Sequence, residues 1–226
     1  MLVCTQYIFL SRIIVHMSSD LRSRKRLATR RAISAVADRL FLERGFENVT
    51  VDEIAAEADV GRMTVFNYFA RKEDMFFDRD EEAREVLREA LRQRDPQVTP
   101  IETLRLLAHR LVSERAPYLE FSTASQRFIE TVNRSETLMA RARAIRDELA
   151  QVVTEALSAC AGREPTDPNA HLAAGLLLAT WTVAFIQAHQ TFRQSRNAKK
   201  AKATFLAIVD KGTTGVKTAM TGTPYA

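Results

Sequence analysis

The chain has little of what disulfide-stapled, metal-built or turn-rich domains need. Two cysteines, Cys4 and Cys160, cannot make a disulfide framework in 226 residues, and no Cys/His pair has the spacing of a zinc site. A reducing, cytoplasmic setting follows by default. Seven glycines and six prolines leave long stretches without a turn former, which argues against an all-β architecture. No Gly-rich phosphate loop, nucleophile elbow or His-Glu metal motif occurs. No catalytic residue, metal ligand or cofactor is therefore expected. His16, His109, His171 and His189 are scattered and read individually as core or surface histidines. Long charged-residue gaps are also rare, with one exception between His171 and Phe192, where Asp, Glu, Lys and Arg are all missing. Gln187, His189, Gln190 and the threonines of that span would be costly in lipid, so it reads as a buried helix rather than a membrane span.

What is present is ordinary for a soluble all-α protein: 46% hydrophobic and 27% charged residues. The charge is unevenly placed. The whole chain carries a formal net charge of +5, and the segment from Leu21 to Thr50 alone holds eight basic residues against three acidic ones. An anionic partner at that end is one reading and a solvated helix face is the other. The apolar run before Met17 has no basic residue ahead of it and is interrupted by Ser11-Arg12, which argues against a signal peptide. Residues 1–17 read as an extension, with Met17-Ser18-Ser19-Asp20 as an alternative translation start.

Ile33, Val36, Ala37, Leu40 and Phe41 recur on one helical face, so the pattern gives a helix from about Arg24 to Arg44. Gly45 can end it with a positive φ, and the Phe46 ring can fold back onto its last turn. Thr50 and Glu53 then form a capping box that starts a helix near Val51, with Ile54, Ala55 and Ala58 on its buried side. Asp59-Val60-Gly61 breaks it, because Asp tolerates the left-handed region and Gly is an acceptable N-cap. A second short helix follows from Arg62 to Phe69. Val65 and Phe69 point inward, leaving Arg62, Met63, Thr64 and Asn67 outward, while Phe66 either packs inward, the favoured reading, or lies against the backbone.

Two short helices, a tight turn and an outward polar edge within twenty residues make a helix-turn-helix. The stretches Thr50-Val-Asp-Glu-Ile-Ala and Thr64-Val-Phe-Asn-Tyr-Phe-Ala-Arg-Lys-Glu-Asp resemble the DNA-binding signature of the TetR family of bacterial transcriptional regulators. One position departs from it: the turn commonly reads Ala-Gly-Val-Ser, and here it is Ala58-Asp59-Val60-Gly61. The resemblance covers about Arg24 to Phe77. It implies an all-α fold with an N-terminal three-helix DNA-binding domain, followed by a C-terminal helical bundle that dimerises. It also implies a ligand pocket in that bundle and, usually, repression relieved by a small apolar ligand at a palindromic operator. A DNA-binding protein without a sensor is the alternative.

Roles follow residue by residue. Arg62, Met63, Thr64 and Asn67 suit the major groove: Arg donates twice to guanine, Asn pairs with adenine, and Met or Thr touches a thymine methyl. By resemblance, Thr50, Tyr68 and Lys72 bind phosphate. Arg24, Lys25 and Arg26 are candidates for an arm on the phosphates or in the minor groove. The expected division is 18–71 for the DNA-binding domain, 72–95 for a continuous charged connecting helix, 96–220 for sensing and dimerisation, and 221–226 for a loose tail. Within the bundle His109, Phe121, Phe128, Met139, Trp181 and Phe185 are candidate ligand contacts, Trp181 foremost, although any one of them can equally be core. Helices from about 167–192 and 196–219, the first rich in small residues, are the expected homodimer surface.

Overall fold

The structure is a computed structural model that describes the backbone of residues 3–226 and the side chains of residues 24–226, apart from Tyr118. The expectations placed on residues 1–17, on Cys4 and on a start at Met17 lie outside the described residues. Among the described residues there are ten α-helices and no strand. The chain forms two compact units, Met1–Asp78 and Arg79–Ala226.

The first unit contains α1 (Val3–Arg44), α2 (Val51–Glu57), α3 (Arg62–Tyr68) and the short α4 (Glu73–Phe76). Ile33, Ala37, Leu40 and Phe41 of α1 are all within 1% of full burial, on the stripe that the sequence pattern marks. Gly45 has φ 85°, and the chain reverses there so that the Phe46 ring lies 5.0 Å from Phe41. Phe76 joins them at 6.1 and 6.3 Å. Each such ring, fully buried, contributes roughly 1.5–3 kcal/mol. Ile54, Val65 and Phe69 close the same core from α2 and α3.

The expected continuous helix from Lys72 to Arg94 is instead interrupted, with α4 ending at Phe76 and α5 (Asp80–Arg92) starting afresh. The cause is local. Met75 and Phe76 are buried in the first unit, and Asp78 is tied to α1 by the Ser34 hydroxyl at 2.6 Å and by Arg30, which donates to its carbonyl at 3.4 Å. Three acidic residues, Asp80, Glu81 and Glu82, then favour a new helix N-terminus.

The second unit comprises α5, α6 (Pro100–Ser113), α7 (Thr123–Arg134), α8 (Glu136–Cys160), α9 (Pro168–Ser195) and α10 (Ala198–Ala219). Its core runs through Leu104, Leu107, Val153, Leu157, Leu177, Phe205 and Val209. The span without charged side chains lies inside α9, whose Ala173, Ala174, Ala184 and Ala188 are fully buried against neighbouring helices. By length and composition alone α9 could cross a membrane; its buried alanines instead have a protein environment. The α9–α10 approach is so close that a Cβ on Gly212 would lie 2.2 Å from Thr180 Cγ2. The C-terminus is no loose tail. Tyr225 is fully buried, its hydroxyl donates to Asp167 Oδ2 at 2.6 Å, and its carbonyl accepts from Ile101 N at 3.4 Å.

Candidate nucleic-acid interface

The recognition edge is built on a frame whose caps are all made within the chain. Thr50 accepts from Glu53 N at 3.2 Å while its own N–H donates to Glu53 Oε2 at 2.8 Å, which is the expected capping box. Those donors hold the Glu53 carboxyl below the usual range. Arg44 reaches Glu53 at 3.1 Å and Arg39 reaches Glu57 at 2.6 Å, tying α2 to α1. The turn then closes as a Schellman motif. Asp59 N donates to Ala56 O at 3.2 Å and Val60 N to Ala55 O at 3.0 Å, with Asp59 at φ 51°. Gly61 is extended, at φ −70° and ψ 148°, and caps α3. The left-handed turn is therefore carried by aspartate, and the glycine serves as the cap.

From this frame α3 presents Arg62, Met63 and Asn67 to solvent and Thr64 at half exposure, while Val65 is fully buried. Met63 is 70% exposed, which an apolar side chain on a small domain tolerates where it meets a partner. Phe66 does not pack as expected; it is exposed, and the Arg62 guanidinium lies 5.5 Å from its ring centroid. The reason is register, since Phe66 directly follows the buried Val65 and falls on the same side as Arg62, four residues earlier. Arg62 also pairs with Asp52 at 2.6 Å.

The expected phosphate donors are differently placed. The Thr50 hydroxyl donates to Glu53 Oε2 at 2.8 Å. Tyr68 is half-buried. Lys72 is half-buried as well, and its ammonium donates to the carbonyls of Phe46 and Val49 at 2.8 and 2.9 Å, over the Phe46 ring at 4.1 Å. It thus fastens the turn that delivers Thr50, in place of the open cation that the sequence suggests. Arg24, Lys25 and Arg26 are exposed on α1 itself, not on an extended arm, because no helix breaker separates them from the rest of that helix. Sequence reasoning overlooked Arg30 and Asp52. Arg30 donates to the Tyr68 carbonyl at 2.7 Å and stacks 4.2 Å over Phe69, placing a cation at the C-terminal end of α3.

Residues 33–78, which span this whole frame, match the family model described as bacterial regulatory proteins of the tetR family. The head therefore resembles the DNA-binding domain of the TetR family. A 49-residue stretch is 47% identical to a curated Mycobacterium tuberculosis protein assigned as the mycofactocin biosynthesis transcriptional regulator MftR, covering 22% of this chain and 25% of that one. The chain thus spans about a quarter of the length of the curated relative it matches. Among solved structures, a TetR-family transcriptional regulator from Mesorhizobium loti superposes with a TM-score of 0.54 at 17% identity, over 86% of this chain and 97% of that one. SmeT in complex with triclosan gives 0.54 at 20% identity, over 83% and 91%. SmeT is the repressor of the Stenotrophomonas maltophilia multidrug efflux pump SmeDEF. At these identities the likeness concerns the fold, and with it the TetR arrangement of a helix-turn-helix head followed by a helical C-terminal domain.

In the C-terminal domain the six candidate ligand contacts are not all brought to one place. Phe121 and Phe185 lie 6.4 Å apart around His189, and Trp181 packs edge-on against Phe205 at 6.1 Å in the core. His109 sits between α6 and α10, paired with Asp210 at 2.7 Å next to Arg105. Phe128 and Met139 are half-buried on α7 and α8. A space of about 300 Å³ between α7 and α9 includes Phe185 but neither Trp181 nor His109, and one of similar size between α5 and α6 includes none of the six.

Proposed function

We propose that this protein is a homodimeric, sequence-specific repressor that leaves a palindromic operator when a small apolar ligand occupies its C-terminal domain. The observation that carries the reading is the outward edge of α3, where Arg62, Met63 and Asn67 stand exposed on a helix fixed by caps at both α2 and α3. Arg62 and Asn67 carry the donors that guanine and adenine accept, and Met63 suits a thymine methyl. Thr50, Tyr68, Lys72, Arg24 and Arg26 are assigned to the phosphates, with Lys72 acting through the Phe46–Val49 turn as well as by its charge.

Dimerisation is assigned to α9 and α10. Leu172, Leu176, Val183 and Ile186 are exposed along one stripe of α9, and α10 offers the small exposed residues Ala203, Ala207 and Gly215. A stripe of this kind is self-complementary across a two-fold axis, which is how most homodimers close. Release then requires a ligand that favours a dimer whose recognition helices no longer match successive major grooves, about 34 to 36 Å apart. SmeT, solved with triclosan, is a precedent for a small apolar molecule on this fold. The packing of Trp181 on Phe205 favours the second reading, a regulator without a sensor. Selection of binding sites from random duplex DNA tests the first: an inverted repeat with half-sites one turn apart is expected, and a single asymmetric half-site would overturn the dimer. Cytoplasmic residence goes with this reading.

A further inference from the structure

The groove between α7 and α9 combines three features. Its wall is apolar at Ile129, Phe185 and Ile186. It is also lined by Gln126 and His189, which are joined across the two helices. Gln126 Nε2 donates to the His189 carbonyl at 2.8 Å, and only the nitrogen of an amide can make that bond, so the orientation of this side chain is settled. The same nitrogen lies 3.0 Å from His189 Nδ1, which accepts its second hydrogen. The ring proton therefore resides on Nε2. That atom is buried and has no hydrogen-bond partner, in a residue only 5% exposed and held by the rings of Phe121 at 5.0 Å and Phe185 at 4.4 Å. Burial pushes the His189 pKa down to about 4, so near neutral pH the ring is uncharged and presents one fixed N–H. A buried donor left unpaired is unfavourable, and an acceptor that reached it from the groove would offset that cost.

The third feature is electrostatic. Arg193 is the one charged side chain among the described residues that line the groove, and it lies one turn beyond His189 on the same face of α9. We infer that this groove takes a small organic anion, an apolar chain or ring ending in a carboxylate that accepts from His189 Nε2–H and faces the Arg193 guanidinium. The inference rests on reading the C-terminal domain as a sensor, and it gives that sensor a place and a ligand class.

Sodium decanoate, decan-1-ol and decylamine test it, titrated into the full chain and followed by calorimetry and thermal unfolding. Decanoate is expected to raise Tm and to bind at least tenfold more tightly than decylamine, with the alcohol between them. Arg193→Gln should remove the preference of decanoate over the alcohol. His189→Phe should weaken decanoate about tenfold. Ile129→Trp should abolish binding of all three by filling the groove, and Gln190→Trp at the rim does the same job if the first variant fails to fold. Equal binding of decylamine and decanoate, or decanoate binding unchanged by both tryptophan variants, overturns the assignment. Affinity for a selected duplex is measured in parallel. Absence of decanoate binding by the wild-type chain, when that chain still binds duplex, removes the site and leaves the DNA reading standing. Binding that leaves duplex affinity unchanged keeps the site and removes ligand-driven release.

Discussion

Arg62 has two partners already, the Asp52 carboxylate at 2.6 Å and the Phe66 ring. The magnitudes decide whether they hold it back. An exposed ion pair of this type is worth about 0.2–1 kcal/mol, whereas a bidentate Arg–guanine contact discriminates by about 1–3 kcal/mol, so the duplex wins. Asp52 bonds only Nη1, which leaves the Nε and Nη2 edge available to guanine O6 and N7. Arg62→Ala is accordingly expected to cost about 1–3 kcal/mol and to relax preference at one base pair per half-site, read from competition binding with single-substitution duplexes. His189 offers a second test at this scale, on stability. Its folded pKa of about 4 lies below the ordinary 6.5, so between those values the unfolded chain binds the extra proton and stability falls as the pH is lowered. From pH 7.5 to 5.5 the loss is about 1.3 kcal/mol for this one group. Carboxyls with lowered values, such as Glu53 and Asp210, contribute only at more acid pH. In denaturant unfolding, the loss of stability from pH 7.5 to 5.5 should be smaller by about that amount in His189→Leu than in the wild type.

At the scale of the element, what the sequence makes legible is whatever local chemistry decides. The capping box at Thr50 and Glu53, the positive φ at Gly45, and the exchange of roles between Asp59 and Gly61 all depend on residues within five positions of one another. The turn predicts its own improvement. Asp59 sits at C′ with φ 51°, a conformation in which a Cβ is strained and glycine is not. Asp59→Gly is expected to stabilise the head by about 0.5–1 kcal/mol without changing operator preference, which thermal unfolding and a binding titration would check. Less legible were the features that need a partner far along the chain. The break before α5 depends on Ser34 and Arg30 holding Asp78, more than forty residues away. Trp181 is half-buried against the core because Phe205 meets it, and the Gln126–His189 pair spans 63 residues. The last six residues look like a tail until Tyr225 finds Asp167. Amphipathic spacing marks a buried face but not what it is buried against.

For the whole molecule, charge and apolar surface divide the work between the two ends of the chain. The segment from Leu21 to Thr50 carries an excess of five positive charges, enough for a strongly salt-dependent grip on phosphates, whereas α9 has no charged side chain between His171 and Phe192. Leu172, Leu176, Val183 and Ile186 are 50, 37, 50 and 47% exposed, at successive spacings of four, seven and three residues, and so share one face. An exposed apolar stripe on a free monomer would be a liability, and the proposed dimer would cover it with a second copy of α9. Ile186 borders both this stripe and the α7–α9 groove, so in that dimer a ligand in the groove would press on the pairing helix. Val183 lies on the stripe but not in the groove, which makes it the cleaner probe. Val183→Glu would place two like charges near the dimer axis and desolvate them on association. Each copy should still fold, because half of this side chain already faces solvent, so circular dichroism is expected to be unchanged. Sedimentation should report a monomer at concentrations where the wild type is a dimer. Affinity for a full inverted repeat should then fall to roughly that for a half-site, by 100-fold or more, because the second head no longer benefits from being tethered to the first.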